Sequence, residues 1–306
     1  MRRRAALQLA AAAALLPARG RASPSFTTTE VAPGIHVRQG VHEEATAANG
    51  DGIANIGFIV GDRSVAVIDP GGSRADGEAL RARVHAVTDR PISHVIMSHL
   101  HPDHVFGAVA FAPDRPIFVA HARMERMLVA RGEFYRNRLA DVLGIEEAGD
   151  YAKPDLLVQD TARLDLGGRP LLLQAHPTAH TDNDVSVLDE TTRTLWAADL
   201  LFVDRVPALD GSITGWLAVI RALRESPARI AVPGHGPAAV AWPDAIAAEE
   251  RYLNLLLREV RAIIARGGDI EEAVAKVGGS ERSRWLLFDE YNGRNVTTAF
   301  KELEWE

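Results

Sequence analysis

The chain has 306 residues, 47% apolar and 25% charged, a formal net charge of −7 and no cysteine. That length and balance suit a folded, enzyme-sized protein with ample core, arranged as one large domain or two ordinary ones. The acidic balance disfavours a nucleic-acid surface, which needs a basic stripe, and the lack of cysteine removes disulfides, thiolate ligands and a Cys nucleophile together.

At the N-terminus, Arg2-Arg3-Arg4 precedes an Ala/Leu stretch from Ala5 to Leu16, then Pro17 and a small-residue exit at Gly20-Arg21-Ala22. A charged start, a short apolar region and that exit predict a cleaved export signal over 1–22. Adjacent arginines before a weakly hydrophobic stretch resemble a twin-arginine signal. The apolar run is short for a bilayer, so the expectation is a periplasmic protein with no stable membrane insertion. The plain alternative is a disordered Arg/Ala tail on a cytosolic protein.

From Phe26 onward the pattern is that of an α/β protein. Val31 to Arg38, Ile53 to Val60 and Val65 to Ile68 read as strands, the last ending at Asp69-Pro70-Gly71-Gly72. A helix begins at about Ala75, with Leu80, Val84 and Val87 on one face. Strands are predicted at Pro91 to Ser98 and Pro116 to Ala120. Residues 121 to 160 read as helical and mixed in charge, without a strand pattern. Strands return at Pro170 to Ala175, Val185 to Leu188, Thr194 to Ala197 and Arg229 to Val232. Pro243 to Ile264 reads as a long helix with Ile246, Tyr252, Leu253, Leu256 and Val260 in an apolar stripe. No Pro/Gly/Ser-rich linker divides the chain, which favours one domain over 23–242 with a helical extension, 243–306, packed on it.

The run His99-Leu100-His101-Pro102-Asp103-His104 carries the chemistry. Three imidazoles and a carboxylate in six positions are dense in metal-type ligands, and they begin where a buried strand ends, the usual place for chemistry in open α/β sheets. His99, His101 and Asp103 alternate and would project to one side of an extended segment. His104 falls out of phase and suits a second ion. Further candidates lie near other strand exits: His180, Asp199 and His235. Singly, each has a structural alternative, since an Asp after a strand is often a helix N-cap and Gly-His-Gly can be only a turn. Together they supply five His and two Asp in a workable order.

These residues, in this order, resemble the metallo-β-lactamase-fold hydrolases, from about Val31 to Pro237. Asp69 in Ile68-Asp69-Pro70-Gly71 is similar to that family's first motif, an aspartate that braces the metal-binding loop. The resemblance implies an α/β, four-layer αββα sandwich with metals in a cleft at one edge. Carried over position by position, it implies His99, His101 and His180 on one metal, Asp103, His104 and His235 on a second, and Asp199 bridging. The cofactors so implied are two Zn²⁺, with Fe or Mn also compatible with N and O donors. The implied reaction is hydrolysis by a bridging hydroxide on a small-molecule ester, thioester or lactone, with Asp103 and Asp199 as catalytic carboxylates. His-Glu-Glu at 42–44, Ile53 to Val60 and Asn295 to Glu306 look most like exported SoxH-like members, associated with sulfur-oxidation or quinoprotein systems, which implies a partner from such a pathway.

Departures narrow the branch. Asp199 stands where true β-lactamases place Cys or Ser, so β-lactam turnover is not expected. His101 stands where flavodiiron oxygen reductases use Glu. Thioester hydrolases of the glyoxalase II type match all seven ligands. Persulfide dioxygenases, which use one iron on two His and one Asp, keep an oxygenase open as the alternative, and a non-catalytic accessory is the third reading. On the substrate side, Arg123, Arg126, Arg131, Tyr135, Arg136 and Arg138 crowd the segment before His180. They make either a basic rim over the cleft or a solvated face. Glu43 and Glu44 suit a flap or an exposed loop.

Overall fold

The runs read as buried strands are apolar on both faces because both faces are covered. The computed structural model describes residues 26–306, so the expected export signal at 1–22 lies outside the described residues. The first sheet runs in chain order through β1 (Thr29–Ala32), β2 (Ile35–Arg38), β3 (Ile56–Val60), β4 (Val65–Ile68), β5 (Ile92–Ile96), β6 (Ile117–His121) and β7 (Leu156–Val158). Its first four strands are antiparallel neighbours and the rest are parallel. The second sheet has the order β13-β12-β11-β10-β9-β8, from β8 (Thr161–Asp165), β9 (Pro170–Ala175), β10 (Val185–Asp189), β11 (Thr194–Phe202), β12 (Ile230–His235) and β13 (Val240–Ala241). Only β11 and β12 run parallel in it.

Alternation along the strands builds four layers. In β4, Ala66 and Ile68 face the second sheet and pack with Leu171, Leu173, Val187 and Trp196. Val65 and Val67 face the other way, onto Leu80 and Val84 of α1 (Arg74–Val87) and Phe111 of a 3₁₀ stretch, Phe106–Asp114. Ser73 caps α1 by accepting from the Asp76 amide, and burying Leu80 and Val84 contributes roughly 1.5–3 kcal/mol each. In β11, Trp196 and Ala198 point between the sheets. Leu195 and Ala197 point outward to α5 (Ile213–Arg224), α6 (Ala247–Ala265), the short α7 (Ile270–Lys276) and α8 (Phe288–Leu303). The result is the αββα sandwich, with the helices after Trp242 in its outer layer. Between β5 and β7 lie α2 (Pro102–Val105), α3 (Met124–Met127) and α4 (Glu133–Leu143), the last two joined by one π-helical turn, Leu128–Gly132.

Three local expectations change. The Val31–Arg38 run is a hairpin, split at Pro33-Gly34 because Gly34 takes φ 73°. Segment 121–160 is helical only to Leu143 and then supplies edge strand β7, a three-residue run too short to show periodicity. The strand at Thr194 continues through Asp199 to Phe202, so Asp199 lies inside β11, not beyond it. Among the described residues, no helix is long and apolar enough to cross a membrane.

Candidate metal centre

The seven candidate ligands come from several separate places in the sequence, and the fold brings all of them to one end of the two sheets. His99 lies just after β5; His101 immediately precedes helix Pro102–Val105, which Pro102 opens at its first position. The helical turn takes His104 out of the alternation of the preceding residues. His180 sits in the loop between β9 and β10, and His235 is the last residue of β12. The register between β11 and β12 shifts on both sides of Ala198, whose φ is 48°, and this irregularity re-aims the strand where Asp199 sits. Gly234 is required beside it, because a Cβ there would collide with Asp199 Oδ1.

The donor atoms form two groups, His99, His101, His180 and Asp199 in one and Asp103, His104 and His235 in the other, each with its atoms within 4.8 Å of one another. His101 Nδ1 is 3.0 Å from His99 Nε2 and 3.1 Å from His180 Nε2. One Nδ1 proton can serve only one of those two nitrogens, so three converging imidazole nitrogens suit a cation. Asp103 Oδ2 is 3.3 Å from His235 Nε2 and 3.6 Å from His104 Nε2. Asp199 faces both groups. Its Oδ2 is 3.3 Å from His180 Nε2 and 3.8 Å from His99 Nε2, while its Oδ1 is 3.1 Å from His104 Nε2 and 3.5 Å from His235 Nε2. Asp199 Oδ1 and His104 Nε2 are buried and neither has a partner in hydrogen-bonding geometry. Orphaned polar atoms are costly in an interior; aimed at one point, they fit a metal ion.

Each imidazole is oriented through its other nitrogen, as metal-ligating histidines generally are. His99 Nδ1 meets Ser98 Oγ at 3.0 Å, His104 Nδ1 meets Asp69 Oδ2 at 2.8 Å, and His101 Nε2 meets Asp210 Oδ2 at 3.3 Å. His180 Nδ1 donates to the Ala208 carbonyl at 2.5 Å and His235 Nδ1 to that of Ile53 at 2.9 Å. Asp69 also accepts from the Ser98 amide and hydroxyl. It therefore braces the loop and touches no other donor of the site.

Charge is matched to this role. Burial pushes His99 well below the ordinary imidazole value and His180 down to about 4, which leaves their lone pairs free. Burial also opposes protonation of His104, but Asp199, Asp103 and Asp69 outweigh it and push that group well above its usual value. Against the same burial, His104 and His235 hold Asp103 below the carboxylate range, and with His180 they do the same for Asp199. Positive charge is thus favoured beside Asp103 and Asp199, while His99 and His180 are held neutral.

A cavity of about 460 Å³ opens over the donors, with His101, Asp103, Asp199 and His235 in its floor. Arg131, Tyr135 and Arg138 form one wall and Tyr291, Arg294 and Asn295 of α8 another. Of the Arg-rich segment, Arg131 and Arg138 line the cavity, Arg131 paired with Asp210. Arg123 and Arg126 instead tie to Thr178 and Asp182, and Arg136 to Asp150. Glu44 lines the cavity mouth. His176 is buried against Ser186 and is not among the donors. Sequence reasoning missed Asn55, Arg205, Asp210 and Tyr291, none of which lies in a recognisable motif.

The sequence pattern of the Metallo-beta-lactamase superfamily matches residues 49–235, more than half the chain. The search of curated proteins found no match to this chain. Among solved structures, TMB-1 is similar at TM-score 0.59 and 18% identity over 76% of this chain and 98% of its own. The metallo-beta-lactamase from Pontibacter korlensis is similar at 0.59 and 17% over 74% and 98%. The inverting sec-alkylsulfatase Pisa1 from Pseudomonas sp. is similar at 0.68 and 18% over 91% of this chain but 50% of its own. At these identities the likeness is one of fold. Pattern, fold and the converging His/Asp groups agree, and the chain belongs to the metallo-beta-lactamase superfamily.

Proposed function

We propose that this protein is a binuclear metallohydrolase, with His99, His101 and His180 holding one ion, Asp103, His104 and His235 the other, and Asp199 between them. The observation that carries the reading is Asp199 itself, with one oxygen toward each group and no hydrogen-bond partner for Oδ1. Two zinc ions bound here would supply an activated water at neutral pH and polarise the substrate oxygen. The chain's own residues do the rest. The imidazoles are pre-oriented by Ser98, Asp69, Asp210 and two carbonyls, so little is reorganised on binding. Asp103 and Asp199 would offset the ions' charge, and Asp103, ionised and partly open to the cavity, is placed to accept the proton that the attacking water gives up and pass it to the leaving group. The substrate of this reading is a small ester, thioester or lactone, and a cavity of about 460 Å³ over the donors has room for one. The N-terminal pattern at 1–22 supports action in the periplasm, and the SoxH-like resemblance supports a partner from a sulfur-oxidation or quinoprotein pathway.

Elemental analysis of protein purified without chelators, with assays on an ester, a thioester and a lactone, tests this. About two zinc ions per chain with turnover of at least one of them is the expected result. A single iron with oxygen uptake on persulfides would replace hydrolysis by oxygenation. A chain that binds no metal after reconstitution would overturn the enzyme reading.

A further inference from the structure

A buried cation stands beside the second ligand group without a hydrogen-bonded carboxylate. Arg205 is only 3% exposed and lines the cavity. Its Nη1 donates to the Glu43 carbonyl at 3.2 Å and its Nη2 to the Tyr291 hydroxyl at 2.7 Å, with the Tyr291 ring 5.1 Å away. Its Nε has no partner. The nearest carboxylate oxygen, Glu44 Oε1, is 3.7 Å from Nη2, and that buried oxygen is itself unpartnered. Nη1 lies 3.4 Å from His235 Nδ1. A guanidinium hydrogen-bonded only to neutral acceptors, with Glu44 beyond hydrogen-bonding distance, is poorly compensated in an interior. Its unpartnered Nε and the loose pairing with Glu44 leave it open to a stronger anion from the cavity.

The rest of the cavity says what else that anion carries. Leu139 and Leu209 are buried in its wall, and Phe134 and Val142 stand at its lip with 58% and 41% of their surface exposed. Phe134, Arg138 and Val142 are spaced four apart on helix Glu133–Leu143, so they share one face. Such exposed large apolar groups beside a polar floor suit a ligand with an apolar portion.

We propose that the cavity takes an amphiphilic organic anion, its carboxylate or sulfate received by Arg205 and its apolar portion lying along Phe134, Leu139 and Val142. Binding of the anion is independent of the hydrolase reading; only its turnover rests on that reading. Tyr291 positions the guanidinium from α8, and Glu44 competes with the ligand for it.

The test is calorimetric titration of the metal-loaded protein with decanoate, decyl sulfate and decanol, each below its aggregation threshold. The two anions are expected to bind and decanol to bind at least about 10-fold more weakly, as a charge-assisted contact requires. The better-bound anion identifies the headgroup. Arg205→Gln, at equal metal content, should weaken the anions on the order of 10-fold and leave decanol unchanged, whereas Glu44→Gln should tighten them. Equal binding of decanol and the anions by the wild type, or unchanged anion binding in Arg205→Gln, overturns the proposal. If Arg205→Gln does not fold, Glu44→Gln decides: tighter binding supports it and unchanged binding overturns it. Wild-type protein that hydrolyses neutral esters but binds neither anion refutes this inference and spares the hydrolase reading. Protein that binds anions but turns over nothing does the reverse.

Discussion

Asn55 Nδ2 donates to the carbonyl of Pro233 at 2.9 Å, joining the residue before β3 to strand β12, 178 residues away in the chain. The same amide group reaches the Pro237 carbonyl at 3.1 Å, and the Asn55 backbone amide donates to the Gly234 carbonyl at 2.7 Å. Asn55 Oδ1 accepts from the Gly40 amide. His235 is thus bracketed on both sides by one buried asparagine, and its Nδ1 is held by the Ile53 carbonyl two residues earlier.

Replacing Asn55 by Ala leaves buried carbonyls and one amide unpaired, which costs about 2 kcal/mol or more of stability. The second ligand group should suffer before the first. Metal titration of Asn55→Ala is expected to show one ion per chain weakened about 10-fold or more, with the other little changed. Equal weakening of both would mean the clamp serves the whole fold rather than His235.

Asp69 orients His104 without reaching the donor cluster. Asp69→Ala should reduce metal affinity or turnover about 10- to 100-fold, the usual cost of removing a partner behind a ligating histidine. Unaltered metal affinity would show that packing alone holds the ring.

Gly234→Ala places a methyl against Asp199 Oδ1. Metal binding is expected to fall steeply while the far-ultraviolet dichroism stays that of the wild type. If the variant loads metal normally, Asp199 has freedom that its surroundings do not suggest.

Asp103→Asn keeps the shape of the side chain and removes its charge, and should abolish turnover, a loss of about 100-fold or more, in a folded protein. A near-normal rate at full metal loading would remove Asp103 from its catalytic role.

His176 supplies the pH prediction. Burial, with His121 adding to it, pushes the imidazole from 6.5 down to about 4. Its folded value is the lower one, so between pH 6.5 and about 4 the unfolded chain binds more protons. The stability tied to the neutral ring is full above pH 6.5 and is lost as pH falls through that window, about 3 kcal/mol in all. Urea unfolding of wild type and His176→Gln from pH 7.5 to 4 should show a steeper decline for the wild type. Parallel curves would place the acid sensitivity elsewhere.

Local patterns carried far in this chain because they report local physics. The ligand run at 99–104, the apolar strands β4, β5 and β9, and helix α1 are visible in the sequence, since alternation, helical spacing and ligand density are properties of neighbours. His180, Asp199 and His235 were legible as candidates because each stands in or just after an apolar strand run. Their meeting was legible only through resemblance to a family. Edge strand β7 was hidden because three residues have no period, and the extent of β11 was hidden because Asp199 looks like a strand's end.

Residue type and spacing alone establish the α/β class, the density of N and O donors and the exclusion of thiolate chemistry. It takes the packed fold to show that Asp199 faces both donor groups, that Asn55 holds the end of β12 at His235, and that Arg205 and Tyr291 wall the cavity. These are contacts between segments scores of residues apart, set by how two sheets stack and where α8 returns over their edge. Nothing in the spacing of those residues encodes such distances, because burial and approach are decided by the packed layers and not by the chain between them.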